Sequence, residues 1–166
     1  KAGLILFVQP MIMAIFSPIA GKLSDRFEPR IVASSGMALN VIGLILLAFI
    51  GPDTAISSLI FILLILGTGF ALFSSPNTSA AMGSVQRRYY GIASATIGTM
   101  RLLGQMFSMA ISTLIFTVRI GQIQLNSDQF QPFLIGLRGA FYVFAGLCAF
   151  GVLASYARGK VLQSDG

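Results

Sequence analysis

The sequence predicts an all-α fold: an integral membrane helix bundle with about five transmembrane helices. Three observations lead to this prediction. Only 10% of the residues are charged, whereas soluble domains have about 25%, and the mean hydropathy is +0.86. Apolar runs near the ~20 residues that cross a bilayer core recur along the chain. Short polar segments separate these runs, and the charge of the segments alternates along the sequence.

The predicted spans are five apolar stretches, at approximately residues 2–21, 31–50, 55–76, 89–118 and 133–156. Pro10 and Pro18 interrupt the first span, which membrane helices tolerate when neighbouring groups satisfy the freed backbone. Gly67 and Gly69, in the middle of the third span, would let another helix approach closely. Because the chain starts at Lys1 without an initiator Met, we expect a piece of a longer protein.

Basic residues collect in alternate segments between the spans. One set comprises Lys22, Arg26, Arg30, Arg87, Arg88, Arg158 and Lys160, and the other has only Lys1 and Arg119 beside Asp53 and Asp128. Since cytoplasmic loops carry an excess of Lys and Arg, the first set should be cytoplasmic. We therefore expect a multi-pass protein of the cell (inner or plasma) membrane with a cytoplasmic C-terminus. The net charge of +6 then reports topology, and we expect no nucleic-acid partner.

The segment between the first two spans has the sequence Gly21-Lys22-Leu23-Ser24-Asp25-Arg26-Phe27-Glu28-Pro29-Arg30. Gly21 permits a close approach of helices, and Asp25 can cap the next helix or pair with a nearby Arg. We call Gly21, Asp25, Arg26 and Arg30 the charged clasp, which would hold one conformation of a moving bundle and release it during gating. The alternative is a loop whose charges only fix orientation.

Gly21-x-Leu23-x-Asp25-Arg26 followed by Arg30 resembles the loop signature of the major facilitator superfamily, found between helices two and three of each half. The sequence has Glu28 where a second Gly usually stands and Pro29 where a basic residue often stands. Degraded copies of this kind are usual in the C-terminal half, so the resemblance points there.

Three further stretches resemble the fourteen-helix drug:proton antiporter branch of that family: Ser75–Val85, Gly91–Ser94 and Thr99–Gln105. The resemblance covers nearly the whole chain and implies helices two to six of a six-helix C-terminal bundle. It also implies a missing N-terminal bundle of the same protein as partner. The third and fourth spans would line a central cavity, and the second and fifth would face lipid. The implied activity is proton-coupled efflux of small organic or drug-like compounds by alternating access.

Arg101 lies roughly 15–20 Å into the fourth span, at 1.5 Å per residue. A charge at that depth is costly and by default marks a functional site or a water-filled cavity. Its helix face is shared by small and polar residues at steps of three and four: Ser94, Gly98, Gln105, Ser108 and Ser112. We call these residues with Arg101 the polar stripe.

The polar stripe predicts a path for a small-molecule substrate, in which Arg101 and Gln105 offer hydrogen-bond donors. The predicted substrate cavity comprises Arg101, Gln105, Ser94, Ser108 and Asn77. Asn77 is either part of this cavity or a cap at the end of the third span. The alternative for the stripe is a tight helix–helix seam in which Arg101 pairs with backbone carbonyls.

No predicted span contains Asp or Glu, so a proton-coupling carboxylate would lie in the missing half. Arg138, about one turn into the fifth span, is expected to anchor that helix at the interface. The sequence has one cysteine, Cys148, and no pattern typical of a metal cluster, a phosphate-binding loop or a nucleophile–base pair. We expect neither an enzyme nor a bound cofactor, with a proton gradient as the driving force and the lipid bilayer as solvent. The rival is a non-transporting membrane scaffold or assembly subunit, in which the polar stripe would be dry and packed.

Overall fold

The computed structural model describes residues 2–52, 54–120 and 130–157. These ranges form five α-helices and one short 3-10 turn, without a strand. The helices are α1 (Ala2–Arg26), α2 (Pro29–Ala48), α3 (Ile56–Gly83), α4 (Tyr90–Ile120) and α5 (Phe130–Ala157), and the 3-10 turn (Arg87–Tyr89) precedes α4. All five are long and apolar enough to cross a membrane. The predicted all-α membrane bundle is confirmed.

The first helix is longer than the predicted span. It continues from Gly21 to Arg26, because no residue of the charged segment breaks a helix before Pro29. A proline disfavours helical backbone in the residue before it, and Glu28 accordingly has φ −51° and ψ 123°. Pro29 then opens α2 at the position where its missing N–H costs nothing. The charged segment is therefore mostly the end of a helix, and a two-residue turn joins α1 to α2.

The centre of the bundle is the crossing of α2 and α3, where glycines bring the two backbones into contact. A Cβ atom on Gly36 would lie 2.6 Å from the carbonyl oxygen of Gly69, and one on Gly69 would lie 2.8 Å from the Asn40 Oδ1 atom. Membrane helices gain stability from such close packing because lipid offers no hydrophobic drive for their association. The expectation that Gly69 permits a close approach is confirmed.

The outer helices pack on this pair from opposite sides. On one side, α1 approaches α3 at Gly67, where an added Cβ would lie 3.0 Å from the carbonyl oxygen of Gln9. On the other side, α5 contacts α2, and the hydroxyls of Ser34 and Ser155 form a 2.9 Å hydrogen bond. The order across the bundle is therefore α1, α3, α2 and α5.

The fourth helix lies at the edge of this arrangement. It packs mainly against α5 and touches α3 at fewer positions. No side chain described in α4 is buried. Large apolar side chains that are exposed include Met100, Leu103, Met106, Phe107 and Leu114. The helix that carries Arg101 therefore presents most of its surface outside the bundle.

Candidate functional site

Arg101 is held by a contact between α4 and α3. Its Nη2 atom donates a hydrogen bond of 3.3 Å to the Oγ atom of Ser74. Arg101 lies about 17 Å along α4 from Tyr90, and Ser74 lies about 14 Å from the end of α3 at Gly83, at 1.5 Å per residue. The two side chains thus meet at similar distances from the turn between the two helices. Arg101 is exposed and Ser74 is half-buried.

Most of the donor capacity of Arg101 remains available. A guanidinium has five N–H groups, and the hydrogen bond to Ser74 occupies one. At 3.3 Å this bond is longer than the 2.9–3.0 Å typical of N–H···O bonds. The contact therefore fixes the direction of the side chain without neutralising its charge.

The polar stripe runs along the border between the packed and open faces of α4. Ser108 and Ser112 are half-buried towards the neighbouring helices, whereas Ser94, Gly98 and Gln105 are exposed. The other half-buried side chains of α4 are Ala93, Ile97, Ile111, Ile115 and Phe116. The packed face is thus largely apolar, and the stripe lies beside it rather than at its centre. A seam between α4 and its neighbours within this bundle would have placed the whole stripe inward.

Asn77 does not cap the third helix. The helix continues six residues beyond it to Gly83, and the residue at its C-terminal cap is Ser84. Asn77 is exposed and lies one turn from Ser74 on the same helix. The cap alternative is therefore wrong, and Asn77 projects from the interior of α3 near the residue that holds Arg101.

Ser74 is a site residue that the sequence analysis did not select. It belongs to the polar stretch Ser74-Ser75-Pro76-Asn77 of α3, which also contacts α1, since a Cβ on Gly21 would lie 3.6 Å from the Ser75 Oγ atom. The sequence contains a signal for this pairing, because Ser74 and Arg101 lie at similar numbers of residues before and after the turn between α3 and α4. The stretch lies between the end of α1 on one side and Arg101 on the other.

The residues of the charged clasp lie at the junction of α1 and α2. Gly21 packs against α3, Asp25 and Arg26 are exposed in the last turn of α1, and Arg30 is half-buried in the first turn of α2. The suggestion that Asp25 caps the next helix is wrong, because Glu28 occupies that position and makes no side-chain cap bond. The gating role of the clasp stays a prediction.

Part of the charge pattern falls on residues that lie outside the described ranges: Lys1, Asp53, Asp128, Arg158 and Lys160. Within those ranges no group of three or more His, Cys, Asp or Glu side chains lies together as a metal site requires. At the α3–α4 contact the structure brings together the donors and acceptors of Arg101, Ser74 and their helical neighbours. They can form hydrogen bonds with a polar group that lies beside the α3–α4 contact.

The chain has relatives among known transporters. The riboflavin transporter RibZ of Clostridioides difficile (strain 630) is 28% identical over 156 residues, which cover 92% of this chain and 33% of RibZ. The uncharacterized transporter YebQ of Escherichia coli (strain K12) is 32% identical over 114 residues, which cover 69% of this chain and 25% of YebQ. The multidrug resistance protein Stp of Mycobacterium tuberculosis (strain ATCC 25618 / H37Rv) is 30% identical over 110 residues, which cover 66% of this chain and 20% of Stp.

These relatives are longer than the chain, which spans a third or less of their length. No solved structure matches the chain significantly. The family model described as Major Facilitator Superfamily matches residues 1–162. Five apolar helices in sequence, a match over almost the entire chain and relatives that are themselves transporters agree with one another, and the chain belongs to the Major Facilitator Superfamily.

Proposed function

We propose that this chain is part of the C-terminal bundle of a secondary active transporter in the plasma membrane, which exports small organic or drug-like compounds. The observation that carries the proposal is the exposed Arg101, which lies about 17 Å along α4 from Tyr90 and donates a hydrogen bond to Ser74 of α3. The printed names of the relatives agree with this substrate class, since they include riboflavin transport, multidrug resistance and lincomycin resistance.

The charge of Arg101 needs a polar environment if α4 spans a membrane. An arginine at the centre of a bilayer is expensive, and such residues almost always face a bundle interior or a water-filled cavity. Arg101 faces neither the α2–α3 crossing nor any other buried part of this bundle. Its environment in the membrane must then come from outside the five helices. A second bundle facing α3 and α4 across a central cavity would provide water at this depth.

Alternating access gives the polar stripe its role in this proposal. Transporters of this kind rock one bundle against another around a binding site near the bilayer midplane. Ser94, Arg101, Gln105 and Ser108 would line the cavity from α4, and Asn77 would line it from α3. The charged clasp at the cytoplasmic ends of α1 and α2 would stabilise one of the two conformations.

Proton coupling in this proposal depends on groups beyond this chain's predicted spans. Membrane-embedded carboxylates or histidines usually relay protons in transporters. The sequence has no His, and its predicted spans contain no Asp or Glu. The coupling carboxylate would therefore belong to the N-terminal bundle, with this bundle supplying substrate contacts and the clasp.

The test is the solvent accessibility of the stripe in the full-length protein. Single cysteines replace Ser94, Ser108 and Ser112 in a Cys148→Ala background, and membrane-impermeant thiol reagents are added from each side. Leu103→Cys is the matched control, because Leu103 lies on the opposite face of α4 and is exposed in this bundle as well. We expect the stripe to react, with substrate or pH moving its reactivity between the two sides, while Leu103→Cys stays unreactive.

The opposite outcome favours the scaffold. If the stripe cysteines stay unlabelled under all conditions while a cysteine at Arg87 reacts, the stripe is packed against a protein partner. Arg101 would then have a structural role, and transport by this protein would lose its main support.

A further inference from the structure

We propose that Arg101 and Ser74 form a subsite for an oxyanion, so that the protein transports organic anions, such as carboxylates, in preference to cations of the same size. This inference rests on the proposed transport function and adds the charge of the substrate to it. The subsite is defined by Arg101 and Ser74, with Gln105 one turn further along α4.

The chain carries more positive than negative charge. The chain has a net charge of +6 and five acidic residues. Asp25 lies in the last turn of α1 and Glu28 in the turn that follows. The remaining three, Asp53, Asp128 and Asp165, fall outside all five helices in sequence. Neither α3 nor α4 contains a carboxylate, so the two described helices that meet at Arg101 offer it no acidic partner.

The groups at the subsite are mainly hydrogen-bond donors. The hydroxyl of Ser74 accepts the hydrogen bond from Arg101, which leaves its own O–H free to donate in the same region. The guanidinium keeps N–H donors in a planar fork that matches the geometry of carboxylate and phosphate oxygens. Gln105, four residues further on, lies on the same face of α4 and adds an amide donor. The set is rich in donors and positively charged, which suits an oxyanion and repels a cation.

The position of Arg101 leaves the subsite open to a ligand. Arg101 is exposed, on the border of the packed face of α4, so a ligand can approach it from the open side without separating α4 from α3. In a cavity with low-dielectric walls the field of an uncompensated charge is screened less than in bulk water. A fixed positive charge there raises the local concentration of anions and lowers that of cations.

A carboxylate supplied by the other bundle would give a different result. It would neutralise Arg101 and make the site indifferent to the charge of the substrate, and loss of Arg101 would then impair every substrate alike. Measuring the ratio of anion to cation transport separates these cases. The ratio is also insensitive to how much protein folds and inserts.

The experiment uses the full-length protein in everted membrane vesicles with two fluorescent probes that share a xanthene core, the anionic carboxyfluorescein and the cationic rhodamine 123. We expect the native protein to favour carboxyfluorescein. Arg101→Gln should lower the anion-to-cation ratio on the order of tenfold, as expected when a specific charged contact is lost. Arg101→Lys should keep most of the preference because it keeps the charge, and Ser74→Ala should reduce it by a smaller factor.

The matched control is Arg138→Gln, which removes the other arginine described well inside a helix. Arg138 donates to the Ile50 carbonyl instead of facing the α3–α4 contact, so its loss should leave the ratio unchanged. Binding of the two probes to the purified full-length protein, followed by fluorescence anisotropy, gives the same comparison independently of turnover.

A native protein that moves or binds rhodamine 123 as well as carboxyfluorescein overturns the inference, and so does an Arg101→Gln variant that changes both probes equally. These outcomes leave the transport proposal standing wherever the stripe cysteines react with aqueous reagents. Stripe cysteines that do not react with aqueous reagents would contradict the transport proposal itself. The two failures are therefore distinguishable.

Discussion

At the scale of single residues, the sequence predicted which positions are special better than it predicted their contacts. Arg101 is recognisable because a charge inside an apolar run is expensive wherever it points. Its partner Ser74 is not recognisable by the same reasoning, since a serine near a helix end is ordinary and the pairing depends on how α3 and α4 are placed. Asn77 could be assigned only once the end of α3 was known. The identity of a residue shows that burying it in lipid is costly, whereas its contacts can be known only once the packing of the helices is known.

The glycine crossing of α2 and α3 gives a prediction at this scale. Gly36→Ala should destabilise the full-length protein by about 1–3 kcal/mol, the usual cost of overpacking, because the new Cβ would meet backbone atoms of α3 that cannot move aside. Gly146→Ala is the control, since nothing lies within 4 Å of its Cβ position and alanine favours helix. Thermal unfolding in detergent measures both. Equal melting temperatures for the native protein and Gly36→Ala would contradict the close crossing.

At the scale of elements, hydrophobic run lengths predicted the number and type of the helices, but their ends needed local backbone chemistry. The prediction that the charged segment after Gly21 is a turn is wrong, because Lys, Asp and Arg are compatible with the end of a helix. Proline at position 29 sets the true boundary. Arg138 shows a related limit. Its depth indicated an interfacial anchor, whereas the structure also gives it a specific acceptor, the Ile50 carbonyl at 3.3 Å.

A prediction at the element scale follows from that contact. Ile50 lies just beyond the C-terminal end of α2, where carbonyl groups lack helical partners and a positive charge is favourable. Arg138→Met keeps an unbranched, flexible apolar stem but loses the charge and the donors. We expect faster hydrogen–deuterium exchange in residues 46–52 of the full-length protein, with a loss of stability of about 0.5–1 kcal/mol.

The control for this prediction is Arg138→Lys, which retains the charge and should preserve most of the protection. Unchanged exchange in Arg138→Met would mean that the contact does not hold the end of α2 in the membrane, and Arg138 would then act only as an interfacial anchor.

At the scale of the whole molecule, the order α1, α3, α2, α5 explains why α4 is the exposed member of the bundle. The central pair α2–α3 is covered on both sides by α1 and α5, and α4 packs only at the margin. The sequence could not reveal this, because α4 is as apolar as a membrane helix must be and periodicity alone does not say which face meets a neighbour. Arg101 lies at the border between the packed face of α4 and the surface that this bundle leaves open. The functional proposals therefore depend on assembly with the rest of the transporter.

The charged clasp is the part of the molecule where a whole-molecule motion can be tested with a matched pair of substitutions. Asp25 and Glu28 are both acidic, exposed and three residues apart at the junction of α1 and α2. Only Asp25 belongs to the family signature, while Glu28 stands where a glycine is usual and forms no cap bond. If Asp25 stabilises one conformation of the transporter, Asp25→Asn should lower the transport rate several-fold, within the range expected for conformational coupling. Glu28→Gln should have little effect.

A reporter that is active only in the cytoplasm, fused to the C-terminus of the same variants, shows whether the chain keeps its orientation. It therefore separates an effect on gating from an effect on orientation. Should the clasp serve only to orient the chain, the two substitutions would act alike, because both remove one negative charge from the same basic turn and leave the excess of Lys and Arg that sets topology. The expected result is that Asp25→Asn transports more slowly while its reporter stays in the cytoplasm, and that Glu28→Gln remains active. This result would mean that Asp25 makes an interaction in one conformation of the transporter and not in the other. Such an interaction is open to a partner from the other bundle, since the Asp25 side chain is exposed here. The clasp would then act between bundles, at the end of the bundle where α1 meets α2.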